Sequence, residues 1–466
     1  MKSDKRLALI LTCLVILWVG NRPLDDYDIF TQVTLGKLIL ESGLYFPESL
    51  VYSPTTAGES VWNPGWLWQI LFSWVSTDID WIVFSIIHCF LFGAIYFVLS
   101  RFSPLDEEGA DGTLIDTTIL WLLGVSNNTS FRPQVVSLLC FVLLYRLLLF
   151  EKREKLPWTT LLVLFFLWQN SHVSLVLTLP LIAARFISRA LEKDWSKPLF
   201  ESLCLFCLVA FCYVATPLGL EVLSLSTSNY EISHDILVNL EWHAAWEYGF
   251  QEMWAFWLIQ GLTVPILFFG RRALKLHHWI VILSYWALAL FAARFVLIWS
   301  CVMFPIWRLC FQSLSARLSI GKRIVKAPHQ FQAVAVLLVG GVFLLGALSR
   351  PLYSRKIPLR CIEALDESKP RLFVKREWAG PTAYFKEGKI QTQVDGRSYL
   401  YAPETWREYV RIVEKGDSLT TLEAEYAPNQ IMLSTVESKT LVQELRNSSR
   451  WDLAFEERGC IIFKSL

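Results

Sequence analysis

Long apolar runs, separated by short polar segments, fill the first three quarters of the chain. Most of these runs approach the roughly 20 residues that an α-helix needs to cross a bilayer, and they lack the period of two that marks a strand. The pattern predicts an α-helical polytopic membrane protein with about eleven transmembrane helices. The runs lie at 7–20, 80–99, 113–126, 134–150, 157–169, 172–189, 198–216, 252–270, 277–292, 294–313 and 329–349.

Composition agrees with a membrane protein and excludes an ordinary soluble one. Hydrophobic residues make up 54% of the chain and charged residues 18%, against about 25% charged residues in soluble domains. A soluble chain with this composition would expose apolar patches large enough to aggregate. The formal net charge is +1, so the overall charge gives no sign of a nucleic-acid partner.

Basic residues indicate which side of the membrane each loop occupies. The basic segment 1–6 precedes a run without a small-residue cleavage site, which predicts an uncleaved first helix with its N-terminus in the cytoplasm. If the tryptophan-rich segment 62–75 lies in the membrane interface, four basic loops are cytoplasmic. If this segment instead spans the membrane, most of these loops lie outside the cytoplasm. These loops carry Lys152, Arg153 and Lys155; Arg189, Lys193 and Lys197; Arg271, Arg272 and Lys275; and Arg317, Lys322, Arg323 and Lys326.

The interfacial interpretation divides the chain into a transmembrane domain, 1–349, and an extracytoplasmic C-terminal domain, 350–466. The polar segments 21–79 and 217–251 become external loops on the same side as this domain. Apolar runs end after residue 349, and the shorter patterns beyond it predict a small α/β fold. β-type runs occur at 389–394, 430–433, 451–455 and 460–464, and helical patterns at 403–414 and 435–447.

Two of the ten cysteines, Cys361 and Cys460, lie in this C-terminal domain. Extracytoplasmic compartments are oxidising enough to keep disulfides. The two cysteines could therefore pair if the domain is extracytoplasmic. The other eight lie in apolar runs, where small buried hydrophobic side chains are the simplest interpretation.

The first external loop begins with carboxylates directly after the first helix. Asp26 and Asp28 are hard oxygen ligands that could bind a divalent cation, Mg²⁺ or Mn²⁺. One of them could instead act as the general base toward an acceptor hydroxyl. A solvated acidic loop without function is the alternative, because two aspartates at this spacing are a weak signal.

Several short motifs follow in order along most of the chain. The first loop continues with Gly36, Gly43 and Trp62-Asn63, and later helix ends and loops carry further motifs. They are Phe131-Arg132-Pro133-Gln134, Trp168-Gln169-Asn170-Ser171-His172, Thr216-Pro217-Leu218-Gly219, Glu241-Trp242, Ala293-Arg294-Phe295 and Val394-Asp395-Gly396-Arg397.

The order of these motifs resembles that of the C-type (GT-C) membrane glycosyltransferases. More narrowly, it resembles a bacterial branch whose C-terminal domain contains a DGR sequence. The resemblance implies a polyprenyl-phosphate sugar donor, a glycan, lipid or protein acceptor, and transfer with inversion in a bacterial plasma (inner) membrane.

The resemblance also implies roles for particular residues. Asp26 or Asp28 is the catalytic base, and Arg132 and Arg294 bind the donor phosphate. The remaining substrate-binding candidates are His172, Glu241, Asp395 and Arg397. All of them have structural alternatives: Arg132 and Arg294 could pair with Asp or Glu, Glu241 could cap a loop helix, and Arg397 could form an internal ion pair.

Departures from the branch leave two other functions open. A histidine and a glutamate of the branch are replaced at Pro64-Gly65, and its first-loop Trp-x-His appears here as Phe30-Thr31-Gln32-Val33. A catalytically degenerate scaffold is therefore one alternative. A transporter or flippase is the other, although the sequence shows neither an inverted repeat nor paired broken helices.

Overall fold

The structure is a computed structural model of the 466-residue chain. The residues that it describes are 2–42, 65–78, 81–102, 110–126, 130, 132–151, 155–191, 195–236, 240–248, 250–318, most of 340–349, 353–394, 397, 401–415, 419–457 and 459–466.

The described chain is mostly helical, with one small sheet. We number the α-helices in chain order. They are α1 Lys2–Gly20, α2 Asp28–Ser42, α3 Trp66–Asp78, α4 Trp81–Ser100, α5 Ala110–Val125, α6 Gln134–Tyr145, α7 Trp158–Ser171, α8 Leu179–Ala190, α9 Ser196–Val214, α10 Glu221–Glu231, α11 Phe250–Gly270, α12 Leu276–Phe291, α13 Val296–Leu318, α14 Leu359–Ala364, α15 Arg376–Phe385, α16 Pro403–Lys415, α17 Leu419–Tyr426 and α18 Lys439–Asn447.

Three helical segments of the described chain are long and apolar enough to cross a membrane: Ser196–Val214, Phe250–Ala273 and Ala293–Ser315. Five shorter apolar helices accompany them, at Arg6–Gly20, Ser85–Ser100, Thr113–Val125, Gln134–Phe150 and Leu276–Phe291. The predicted run at 329–349 lies largely outside the described residues. The structure thus supports membrane-crossing helices, and three of the predicted eleven meet the full length.

The chain forms two compact units. The first contains Met1–Pro23, Ser85–Thr216 and Leu240–Arg350. Its core is centred on α13, which contacts α5, α11 and α12. Trp299, Phe304 and Trp307 of α13 are fully buried, and the indole nitrogen of Trp307 donates a hydrogen bond to the Thr263 hydroxyl at 3.0 Å. Large apolar side chains also cover the outer surface of this unit, as a lipid environment requires.

The second unit contains Leu24–Phe84, Pro217–Asn239 and Pro351–Leu466. Helices α2 and α3 of this unit fall in the segment 21–79, which the sequence analysis treats as an external loop. They pack closely, because a Cβ atom added at Gly36 would clash with the main-chain oxygen of Gln69. A motif glycine of the first loop therefore has a packing role, in which the absent side chain lets two helices approach.

A five-stranded sheet forms the centre of the C-terminal part of this unit. Its strand order is β2-β1-β3-β5-β4. β1 pairs with β2 and β3 in parallel, whereas β5 pairs with β3 and β4 in antiparallel register. The strands are β1 Arg371–Val374, β2 Gln391–Thr392, β3 Gln430–Ser434, β4 Trp451–Glu457 and β5 Cys460–Ser465.

Strands β2 to β5 lie where the sequence predicts β-type runs, and α16 and α18 lie at the predicted helical patterns. Strand β1 and helix α15 were not predicted, although β1 is the central strand of the parallel half of the sheet. Cys361 of α14 and Cys460 of β5 form a disulfide, with Cα atoms 6.6 Å apart. This bond closes the C-terminal domain across 99 residues.

Candidate functional site

Four of the predicted site residues come together in the first unit, in a group that we call the arginine cluster: Arg132, His172, Glu241 and Arg294. Each lies at a helix end or in a short connecting turn. Arg132 precedes Pro133, the N-cap of α6, and His172 caps the C-terminus of α7. Glu241 and Arg294 lie in 3₁₀ turns, Leu240–Trp242 and Ala293–Phe295.

A main-chain hydrogen bond joins the two 3₁₀ regions, with the Ala293 N–H donating to the His243 carbonyl at 3.0 Å. The side chains of the cluster then make two strong contacts. The guanidinium of Arg132 forms an ion pair with the Glu241 carboxylate. The guanidinium of Arg294 lies 3.9 Å from the ring centroid of Trp242, a cation–π distance. The adjacent residues Glu241 and Trp242 therefore each contact one arginine: Glu241 contacts Arg132, and Trp242 contacts Arg294.

Burial and the two arginines together set the charge of the other cluster members. Burial alone would raise the pKa of Glu241, but the guanidinium groups of Arg132 and Arg294 outweigh it and lower that pKa. Burial, together with the charges of Arg294 and Arg132, lowers the pKa of His172 to about 3. At neutral pH the cluster therefore contains two cations, one carboxylate and an uncharged imidazole.

The hydrogen bonds of His172 indicate which ring nitrogen carries the proton. Its Nδ1 lies 2.8 Å from the Ser174 hydroxyl oxygen, and the indole nitrogen of Trp168 donates to the same oxygen at 2.8 Å. Since Trp168 already donates to this oxygen, the hydroxyl is best placed to donate its own proton to Nδ1. The ring proton then lies on Nε2, which makes neutral His172 a hydrogen-bond donor through that atom.

The lowered pKa of His172 predicts a pH-dependent stability. Between about pH 6.5 and 3, unfolded His172 binds a proton that the folded protein excludes, so stability is present above pH 6.5 and falls as the pH drops. We expect the thermal midpoint of the purified protein to fall more between pH 7 and 4.5 in the wild type than in His172→Gln. The lowered pKa of Glu241 acts in the same direction and remains in the variant.

The matched control for this experiment is His234→Gln, which removes one imidazole from the second unit. It should keep the wild-type dependence on pH. Equal pH dependence in the wild type and His172→Gln would contradict the burial of a neutral imidazole in the cluster.

The aspartate pair lies in the second unit, where the chain enters α2. Asp26 is 5% exposed, and its carboxylate accepts a hydrogen bond from the Asp28 N–H at 2.9 Å. This is the contact of an aspartate that caps a helix start. Asp28 is exposed and occupies the first turn of α2, where the helix dipole stabilises a negative charge. The two predicted catalytic residues therefore differ in their surroundings.

Charged residues missed by the sequence analysis gather at the carboxyl ends of the parallel strands. Lys375 and Glu377 follow β1, and Glu437 follows β3. Lys375 forms an ion pair with Glu437 and lies 3.8 Å from Glu377. Open α/β sheets bind ligands outside the carboxyl ends of parallel strands. We call this group the carboxyl edge.

The carboxyl edge lies beside the aspartate segment. Burial, followed by the charges of Glu377 and Glu437 and then those of Asp25 and Asp26, raises the pKa of Tyr27. A Cβ atom added at Gly380 of α15 would lie 2.9 Å from the Tyr27 carbonyl oxygen. The start of α2 and the β1–α15 junction therefore form one charged surface of the second unit.

The DGR sequence follows β2, the third parallel strand. Arg397 is 3% exposed, which fits the internal structural role that the sequence analysis left open. Asp395 lies outside the described residues.

Sequence spacing gave no sign of the carboxyl edge, because Lys375, Glu377 and Glu437 are brought together only by strand pairing. The charged triplet Lys375-Arg376-Glu377 is visible in the sequence, but nothing in the sequence links it to Glu437.

Within the described residues, no group of three or more histidine, cysteine or acidic side chains converges as metal ligands would. Asp26 and Asp28 thus form at most a two-carboxylate site there. Mg²⁺ bound in proteins by one or two carboxylates takes its other ligands from water or substrate phosphates. The predicted divalent cation would need such ligands.

Comparison with known proteins identifies no family for this chain. The chain matches no protein-family model and no curated protein sequence.

Proposed function

We propose that this protein is an integral membrane glycosyltransferase that moves a sugar from a polyprenyl phosphate to an extracytoplasmic glycan, lipid or protein acceptor. The observation that carries the proposal is the partial burial of Arg294 in the arginine cluster without an ion pair among the described residues. Arg294 is half-buried among apolar helices. Within the described residues it contacts the Trp242 ring and forms no ion pair with a carboxylate.

A guanidinium in this position favours an anionic ligand. Glu241, the carboxylate of the cluster, is already paired with Arg132. The five N–H donors of a guanidinium suit phosphate oxygens, and its weak hydration permits partial burial. The uncharged His172 can add one neutral donor through Nε2. A lipid phosphate is the anion that an apolar helical unit would meet at a helix end.

The proposed reaction is an inverting displacement. A carboxylate of the aspartate pair accepts the proton of an acceptor hydroxyl, whose oxygen forms a bond to the anomeric carbon. The bond from that carbon to the phosphate oxygen breaks, and the lipid phosphate leaves with the electron pair. Arg294 and Arg132 would stabilise the charge on the leaving phosphate. Asp26 and Asp28 belong to the second unit and remain the proposed source of the base.

The proposal includes the topology expected from the basic loops. About eleven helices would cross the plasma membrane of a bacterium, with the N-terminus in the cytoplasm and residues 350–466 outside. The disulfide between Cys361 and Cys460 supports the external placement of this domain, since cytosolic thiols are kept reduced.

The test is a transfer assay with purified protein in liposomes that contain radiolabelled polyprenyl-phosphate hexoses or pentoses, together with cell-envelope acceptors. Wild-type protein should move label to the acceptor. Arg294→Gln should raise the KM for the donor about 10–100-fold, because the variant loses a charge-assisted contact worth about 1.5–3 kcal/mol. Arg272→Gln removes an exposed arginine and should leave the KM unchanged.

Other outcomes separate the alternatives. An unchanged donor KM in Arg294→Gln would remove the phosphate assignment. Movement of the labelled lipid between leaflets without transfer would support a flippase. Neither transfer nor lipid movement, with all donors tested, would support a scaffold.

A further inference from the structure

A cleft opens at the other end of α7 from the arginine cluster. Its volume is about 510 Å³, and it is lined by Lys155, Leu156, Trp158, Ser196, Lys197, Phe200 and Glu201. The cleft belongs entirely to the first unit. We call it the basic cleft.

The basic cleft forms because α7 and α9 run in the same direction. At their C-terminal ends, the side chains of Gln169 and Asn170 donate to the carbonyls of Tyr213 and Ala215, each at 3.2 Å. At their N-terminal ends, Trp158 and Ser196 both line the cleft. The 14 residues of α7 separate the cleft from His172 by about 21 Å at 1.5 Å per residue. The cleft is therefore distinct from the arginine cluster.

Glu201, the carboxylate of the cleft, is neutralised from within the protein. The Arg185 side chain is 4% exposed and lies 2.6 Å from the Glu201 carboxylate. It also donates to the Leu148 carbonyl at 2.7 Å, which fixes its position. Arg189 lies 3.9 Å from the same carboxylate. Two guanidinium groups thus face one carboxylate, so Glu201 does not offset the lysines.

The lysines give the cleft its charge. Lys155 and Lys197 are exposed, and within the described residues neither lies within ion-pair distance of a carboxylate. The two helix starts add positive partial charge, because the N-cap residues Pro157 and Trp195 supply no side-chain hydrogen bond to the first turns. The cleft therefore favours an anion.

The remaining walls of the cleft are apolar and continue onto an apolar helix surface. Trp158 and Phe200 are exposed lining residues, and Leu199 and Leu203 of α9 are exposed as well. α9 is one of the three helices long and apolar enough to span a membrane. A ligand that combines an anionic head with alkyl chains matches both surfaces. A small soluble anion would match only the lysines.

We propose that the basic cleft binds the headgroup of an anionic phospholipid. Lys155 and Lys197 contact the phosphate, while Trp158 and Phe200 pack against the start of the acyl chains. Basic pockets between helices at a membrane surface bind lipid headgroups in this way. The site is independent of the proposed glycosyl transfer, because it uses none of the residues assigned to that reaction.

Native mass spectrometry of the detergent-purified full chain with added phosphatidylglycerol tests this site. Lys155→Gln/Lys197→Gln should bind the first lipid about thirtyfold more weakly than wild type, since each lysine at an anionic lipid surface contributes roughly fivefold. Lys155→Arg/Lys197→Arg keeps both charges and should bind as wild type does. Arg272→Gln/Lys275→Gln removes two charges from a loop that does not line the cleft and should also bind as wild type does.

Zwitterionic phosphatidylcholine and inorganic phosphate complete the experiment. Phosphatidylcholine should bind more weakly than phosphatidylglycerol, and millimolar phosphate should leave lipid binding within threefold. The proposal is overturned if the glutamine variant binds phosphatidylglycerol within threefold of wild type, if the loop control loses as much affinity, or if phosphate displaces the lipid. Should the double glutamine variant fail to fold, the two single variants carry the test, with a fivefold loss expected for each.

Discussion

Asp28→Asn should lower the rate of sugar transfer by about 10²–10⁴-fold, the range that a positioned general base contributes. Asn keeps the shape of the side chain but cannot accept the proton of the acceptor hydroxyl at neutral pH. Asp28 is the better candidate of the pair because it is exposed, whereas Asp26 is buried and caps α2. The loss should appear in kcat, with the KM for the lipid donor little changed.

Two further variants make this experiment specific. Asp26→Asn keeps a side-chain oxygen that can cap α2, so it should fold and lose less activity than Asp28→Asn. Glu41→Gln removes an exposed carboxylate from the far end of the same helix and should keep wild-type activity. A larger loss in Asp26→Asn would assign the base to Asp26. Wild-type rates in both aspartate variants would reject the catalytic assignment of the pair.

Removal of the Cys361–Cys460 disulfide should destabilise the protein by about 2–5 kcal/mol. The bond closes a loop with a sequence separation of 99, and the entropy lost by the unfolded chain grows with the length of such a loop. Both cysteines are buried, so the serine variants also place polar groups in the core. Thermal unfolding of Cys361→Ser/Cys460→Ser should begin at a lower temperature, with loss of the C-terminal domain.

Cys207→Ser is the control for this variant, because Cys207 is an exposed free cysteine and its replacement should leave the midpoint unchanged. Alkylation of the denatured wild-type protein tests both the bond and the compartment. Of the ten cysteines, eight are free, so eight should react without a reductant and ten after reduction. Ten reactive thiols in protein taken directly from cells would contradict an oxidised, extracytoplasmic domain.

The arginine cluster shows what the sequence could and could not reveal about the candidate site. Arg132, His172, Glu241 and Arg294 were identified one by one, because each lies in a short motif that resembles the glycosyltransferase branch. Their mutual contacts were not predictable. Arg132 and Glu241 are 109 residues apart, and only helix packing decides that they form an ion pair while Trp242 receives Arg294.

The second unit shows the same limit in a different way. Strand β3 was predictable because consecutive apolar residues mark a buried strand. Helix α2 was missed because the surrounding polar stretch hid a helical segment whose buried face includes Phe30 and Val33. Phe30 is buried against Tyr384 and Phe385 of α15, which lie more than 350 residues later in the chain.

The sequence by itself determined that the chain is apolar in helix-length runs, that a small α/β domain follows residue 350, and that strands β2 to β5 lie in it. These properties depend on local patterns of side chains, which act over one helix or one strand. Only the tertiary structure decided that Arg132 pairs with Glu241, that Cys361 pairs with Cys460, and that Lys375 and Glu437 share an edge of the sheet. Such contacts join distant segments, and packing and strand register select them among many alternatives with similar local patterns.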